Sequence, residues 1–189
     1  MQTLGPKNEL GEVTTLPVIE PAGWGQLEVE PAAESGEGPG WYVVGLRLRP
    51  NGTTGWVSSD EVIASTVTTA IVVQLSAHRL FLYDQGRQVA DFPVGLGTAT
   101  NPTPAGTFFV MGVDRHDPGS AYGPYAIGTS GLSETLTDWP GGGMIGIHGT
   151  NKPSSVGQNV SHGCVRLHNS DIVQVAEVVL PGTPVFIVP

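Results

Sequence analysis

Apolar positions in this chain fall mostly in short runs separated by turn formers, the pattern of strands rather than of long helices. Residues 67–75 and 79–83 are rich in Val, Ile, Leu, Phe and Thr and are broken by Ser76-Ala77-His78. A third run, 88–94, follows Asp84-Gln85-Gly86, so the three predict an antiparallel meander. The turn Asn101-Pro102-Thr103-Pro104-Ala105-Gly106 leads into a strand over 107–111. Residues 117–143 are rich in Gly and Pro, offer few strands of any length, and read as a functional lid.

One helix is expected. Asn169 stands where an N-cap would, Asp171 complements the positive end, Ile172, Val175, Ala176 and Val179 recur on one face, and Pro181-Gly182 stops it. Residues 185–188 make a last strand. Upstream, Leu16-Pro17-Val18-Ile19 predicts a short strand, residues 30–40 a long acidic loop, and residues 41–48 and 55–57 two strands around the turn Pro50-Asn51-Gly52. The fold class is mainly β with one short helix.

Composition sharpens this picture. Gly 27 and Pro 16 among 189 residues fit either a loop-rich β protein or a disordered one, and 39% hydrophobic against 13% charged residues decides for a packed core. Eight basic against 17 acidic residues leave a net charge of −9, which repels a phosphate backbone and argues against nucleic acid as a partner. No apolar run approaches the roughly 20 residues that span a bilayer. The opening MQTLGPKNEL has neither the basic flank nor the apolar run of a secretory signal, so export would require a signal outside this chain. A single cysteine excludes an internal disulfide and turns attention to its surroundings.

Those surroundings carry the chemistry. His148 ends the apolar run Ile145-Gly146-Ile147, and sixteen residues later Cys164 lies within Ser161-His162-Gly163-Cys164-Val165-Arg166-Leu167. A cysteine nucleophile needs a base close by, because an unperturbed thiol with a pKa near 8.5 is only slightly ionised at neutral pH. It also needs backbone N–H donors for a developing oxyanion, and Gly163 allows a carbonyl to approach the main chain. From the residues alone, either His148 or His162 serves as base, and labelling by iodoacetamide at pH 6 separates an activated thiol from an inert core cysteine. His148, His162, Cys164 and His168 lack the paired spacing of a zinc site, and no metal is expected. His78 and His116 stand apart and read as surface or turn residues. Tyr122 and Tyr125 either line a lid over the substrate or pack that loop onto the sheet.

His148-Gly149-Thr150 followed by the Ser-His-Gly-Cys-Val-Arg block of residues 161–166 resembles the signature of the L,D-transpeptidase family, whose catalytic domain is also called the YkuD domain. The resemblance covers about residues 66–189. Leu80-Phe81-Leu82-Tyr83 is similar to the family's early strand, and residues 102–108 to its Thr-Pro-x-Gly-Thr-Phe turn. Some members carry Asn where Arg166 stands. Trp41 opening a strand and the segment from Arg49 to Val57 resemble a bacterial SH3-type module, the alternative being an extra hairpin packed on the main domain.

The resemblance implies a small SH3-like β-barrel over 1–65 and an L,D-transpeptidase β-sandwich over 66–189. It implies peptidoglycan stem peptides as donor and acceptor: attack on the third stem residue, release of the terminal D-alanine, and transfer to an amine. Cys164 is then the nucleophile, His148 its base and Gly149 the carbonyl that orients the imidazole. Gly163 and Cys164 supply oxyanion N–H groups, with His162 shaping the hole. Arg166, Ser161, Tyr122 and Tyr125 contact substrate. No cofactor is implied; carbapenem β-lactams are the implied inhibitors, and the implied location is the cell envelope outside the cytoplasm. An L,D-carboxypeptidase, with water as acceptor, and a non-catalytic wall-binding module are the alternatives.

Overall fold

The computed structural model describes residues 14–17 and 40–189. The expected meander is present as β3 (Thr69–Gln74), β4 (Arg79–Asp84) and β5 (Arg87–Pro93), paired antiparallel in sequence order. Alternation does the placing: Ile71 faces Leu82, Val73 faces Leu80, and Leu80 faces Phe92, all five inward. Gln85 and Gly86 both take positive φ (48° and 74°), the two-residue turn whose twist matches the flanking strands.

The short β6 (Leu96–Gly97) precedes β7 (Gly106–Arg115), and β8 (Tyr125–Leu132) and β9 (Met144–His148) follow. Then come β10 (Asn159–Ser161), β11 (Val165–Arg166), the helix α1 (Asn169–Ala176) and β12 (Pro184–Val188). Eight strands form one sheet in the order β11-β9-β8-β7-β12-β3-β4-β5, while β10 pairs with β6. The long β7 joins two halves: its first residues pair with β12 and those from Val110 onward with β8. The sheet curls at that strand, and both halves contribute to one core with Ile172, Val175 and Val179. Each fully buried side chain, such as Ile71, Ile127 or Ile147, stabilises the fold by roughly 2 kcal/mol.

Three expectations are corrected. Residues 117–143 contain the eight-residue strand β8, whose sequence YAIGTSGL is built of small residues that carry no strong alternation. Asn169 does not cap α1: His168 is the N-cap residue, and the Asn169 side chain is engaged elsewhere. The helix stops at Ala176, so Val179 joins the core from the following turn.

Among the described residues, the expected SH3-like segment is a hairpin of β1 (Trp41–Gly45) and β2 (Thr54–Ser58). Leu16 and Pro17 lie outside any strand, and Val18, Ile19 and residues 30–39 of the expected acidic loop lie outside the described residues. Among the described residues no helix is long and apolar enough to cross a membrane.

Candidate active site

Two parallel neighbours, β9 and β11, bring the chemistry together: Val165 pairs with Ile147 and Arg166 with His148. Ile145 and Ile147 point inward, so Gly146 and His148 share the opposite face of β9. The Gly146 N–H donates to the Cys164 Sγ at 3.4 Å. A Cβ at Gly146 would stand 3.9 Å from that sulfur, in ordinary contact with it.

The turn before Cys164 is held from inside. The Ser161 hydroxyl donates to the Cys164 carbonyl at 2.6 Å and accepts from the Gly163 N–H at 3.1 Å. Gly163 has φ 118°, and a Cβ there would come within 2.8 Å of Ile145. Its carbonyl accepts from the Thr103 hydroxyl at 2.8 Å, and that hydroxyl accepts from the Gly97 N–H at 2.9 Å. Thr103 thus clamps β6 to the turn before Cys164 from a buried position.

His148 is buried, and its Nδ1 lies 2.5 Å from the Gly149 carbonyl. A carbonyl only accepts, so Nδ1 carries the proton and Nε2 keeps its lone pair. Gly149 has no room for a side chain: a Cβ would stand 2.5 Å from the Asn169 Oδ1. Asn169 accepts from the Thr150 N–H at 2.8 Å and donates to the Pro118 carbonyl at 3.2 Å, stapling the 116–124 loop to the strand end that carries His148. From that loop the Tyr122 ring meets His148 edge-on at 5.0 Å, and His116 lies against Tyr122 at 5.4 Å.

Burial dominates the electrostatics. Burial first, then the Arg166 and His116 charges, lower the His148 imidazole to about 4 against the opposing hydrogen bond to Gly149. Burial also raises the Cys164 thiol, opposed by the Gly146 N–H and the Arg166 charge. Both directions favour a neutral thiol beside a neutral imidazole at pH 7 rather than a preformed ion pair. Arg166 is half-buried, and its Nε is buried without a hydrogen-bond partner.

The other expected residues have these partners. The Gly163 N–H donates to the Ser161 hydroxyl. Ser161 is buried, and its hydroxyl is engaged on both sides within the turn. The Tyr125 ring packs against the core under the Arg115 guanidinium, while its carbonyl accepts from the Gly149 N–H, so of the two tyrosines only Tyr122 touches His148. His162 is exposed and stacked on Trp139. His116, expected to be remote, borders the site through Tyr122. His78 stays in its turn, bonded to Asn159. Among the described residues no three His, Cys, Asp or Glu side chains group as a metal site. Sequence reasoning missed what Thr103, Gly146, Asn169 and Trp139 do, although each sat in a segment already singled out: the 101–106 turn, the apolar run before His148, the start of the helix and the 117–143 segment.

Residues 68–187 match the L,D-transpeptidase catalytic domain (YkuD). The chain is 34% identical over 151 residues to the L,D-transpeptidase YkuD of Bacillus licheniformis, covering 76% of this chain and 84% of that protein. It is 31% identical over 163 residues to the L,D-transpeptidase ErfK/SrfK of Salmonella typhimurium, covering 77% of this chain and 52% of that one. Among solved structures it superposes on an L,D-transpeptidase from Mycobacterium smegmatis with a TM-score of 0.53 at 16% identity, covering 93% and 100% of the two chains. On the L,D-transpeptidase LdtMt1 in complex with imipenem the TM-score is 0.51 at 22% identity, over 79% and 68%. Both share the mainly β, curled-sheet fold.

Proposed function

The chain belongs to the L,D-transpeptidase family, and from that membership we propose that it is a cysteine acyltransferase acting on peptidoglycan stem peptides outside the cytoplasm. The observation that carries this reading is the shared face of β9: the Cys164 sulfur sits on the Gly146 N–H, and two residues on His148 has its tautomer fixed by Gly149.

In this reading Cys164 Sγ attacks the carbonyl carbon of the third stem residue while His148 Nε2 takes the thiol proton. Because both groups rest neutral, proton transfer accompanies attack. The Cys164 N–H supports the oxyanion, and Arg166, beside both groups, adds positive charge. The tetrahedral intermediate expels D-alanine, whose amine receives the proton from His148, leaving a thioester. An acceptor amine then attacks the thioester, His148 removes its proton and returns it to the departing sulfur. The Arg166 guanidinium, with an unpartnered buried Nε, suits a stem carboxylate. Tyr122 walls the imidazole.

Mass spectrometry of the full chain with a defined stem tetrapeptide tests this. A thioester adduct short of one D-alanine is expected on the wild type and not on Cys164→Ala, with a cross-linked product when an amine acceptor is added. Release of tripeptide alone, whatever the acceptor concentration, makes the protein an L,D-carboxypeptidase. The strained carbonyl of a carbapenem should acylate the same sulfur, adding one drug mass.

A further inference from the structure

The loop after β8, residues 133–143, is suspended from the amino-terminal hairpin. Gly141, Gly142 and Gly143 take φ of 72°, 67° and 76°, a run that side-chain-bearing residues rarely adopt. Arginines take up the carbonyls it presents: Arg47 Nη2 donates to Gly141 at 2.6 Å, and Arg49 Nη2 donates to Gly142 and to Ser133 at 2.9 Å each. Arg49 therefore ties the two ends of the loop together. Asn51 treats Leu132 as a neighbouring strand would, donating to its carbonyl at 2.8 Å and accepting from its N–H at 3.0 Å.

Between those anchors stands Trp139. It is 50% exposed, yet its ring is stacked on His162 at 5.3 Å and 24°, two residues before Cys164. An exposed indole held in one orientation by a loop anchored at both ends is an apolar wall beside the nucleophile turn. We infer that Trp139 is a specificity-determining residue flanking the substrate groove, and that Arg49 and Asn51 are positioning residues holding it there from the amino-terminal hairpin. The substrate it flanks, the aliphatic part of a stem peptide, rests on the functional reading above; the placement of the ring does not.

Fluorescence tests the placement without turnover. The wild-type minus Trp139→Phe difference spectrum isolates this indole, and the stacked ring shields one of its faces from a collisional quencher. Acrylamide quenching of the difference emission should be weak in the full chain and stronger in His162→Ala and in the Arg49→Ala/Asn51→Ala variant. Kinetics on the stem tetrapeptide test the role. Trp139→Ala, a change at a solvent-exposed ring, should raise KM about three- to tenfold with kcat little changed, and Trp139→Phe should restore it. An unaltered Trp139 signature in Arg49→Ala/Asn51→Ala, or a wild-type KM in Trp139→Ala, overturns the inference. A wild type that ignores the tetrapeptide overturns the peptidoglycan reading instead, and the fluorescence still decides the placement.

Discussion

The Tyr122 ring stands edge-on to His148, centroids 5.0 Å apart at 75°, so this imidazole is covered by a side chain from a loop rather than by the sheet alone. Burial is the largest cause of the depressed imidazole, held at about 4. Tyr122→Ala should admit water and move the acid limb of the kcat/KM profile up from about 4 toward the ordinary 6.5. Tyr122→Phe should leave it in place. A limb unmoved by Tyr122→Ala would assign the burial to β9 and its neighbours.

The same shift links His148 to stability. Unfolded, the imidazole binds a proton below about 6.5, whereas folded it does so only below about 4. Between those values the unfolded state holds more protons, so stability rises with pH there. The contribution is fully present above about 6.5 and lost as pH falls toward 4. It amounts to about 3 kcal/mol, from 1.36 kcal/mol per pH unit. Urea denaturation of wild type and His148→Gln across this window should show a shallower pH dependence in the variant. Parallel curves would mean the imidazole titrates alike in both states. The variant should also lose about 10² to 10⁴ in rate.

How far these features were legible in the sequence depended on whether a signal was local. The β3–β5 meander was, because Ile71, Val73, Leu80 and Leu82 alternate within short runs bounded by turns. Cys164 and His148 were, because a single thiol between histidines is unusual and the surrounding motif is family-specific. β8 was not: its small residues are buried by what packs on them, which periodicity does not record. Asn169 was misread because a side-chain oxygen before an apolar run looks the same whether it caps its own helix or holds Thr150 from another element. The burial that raises the thiol was not legible either, because it emerges only once β9 and β11 have met.

Cys164 alkylation follows from that burial. With the thiol raised, iodoacetamide should react slowly at pH 6 even in an active enzyme, so labelling there does not separate an acylating thiol from an inert one, and the rate should climb only at alkaline pH. Arg166→Met removes a charge that lowers the thiol, so labelling should be slower still at any given pH. Fast labelling at pH 6 would show a preformed thiolate and contradict the neutral resting pair.

Thr103 is the least conspicuous residue with a large expected effect. Its hydroxyl donates to the Gly163 carbonyl and accepts from the Gly97 N–H, all at a buried site. Thr103→Val keeps the shape and strands both partners, which should cost about 1 to 3 kcal/mol of stability. Acylation of Cys164 should slow as the turn loosens. Thr103→Ser, retaining the hydroxyl, should recover most of both, measured by thermal melts and by intact-mass acylation rates. Equal losses in the two variants would assign the effect to the methyl group.

The boundary near residue 65 is tested by the fragment 66–189. The main core cluster draws on Ile71 through Ile187 and includes no residue of the β1–β2 hairpin, so the fragment should fold cooperatively on its own. It forfeits the five hydrogen bonds between Arg47, Arg49 and Asn51 on one side and Leu132, Ser133, Gly141 and Gly142 on the other. Water replaces those partners at this partly exposed seam, so the loss should be no more than roughly 1 to 3 kcal/mol. Cys164 should still take a carbapenem, since Gly146, His148 and Thr103 all lie within the fragment. Insolubility, with the full chain soluble and reactive, would mean that the hairpin completes the catalytic fold and that the chain is one domain rather than two.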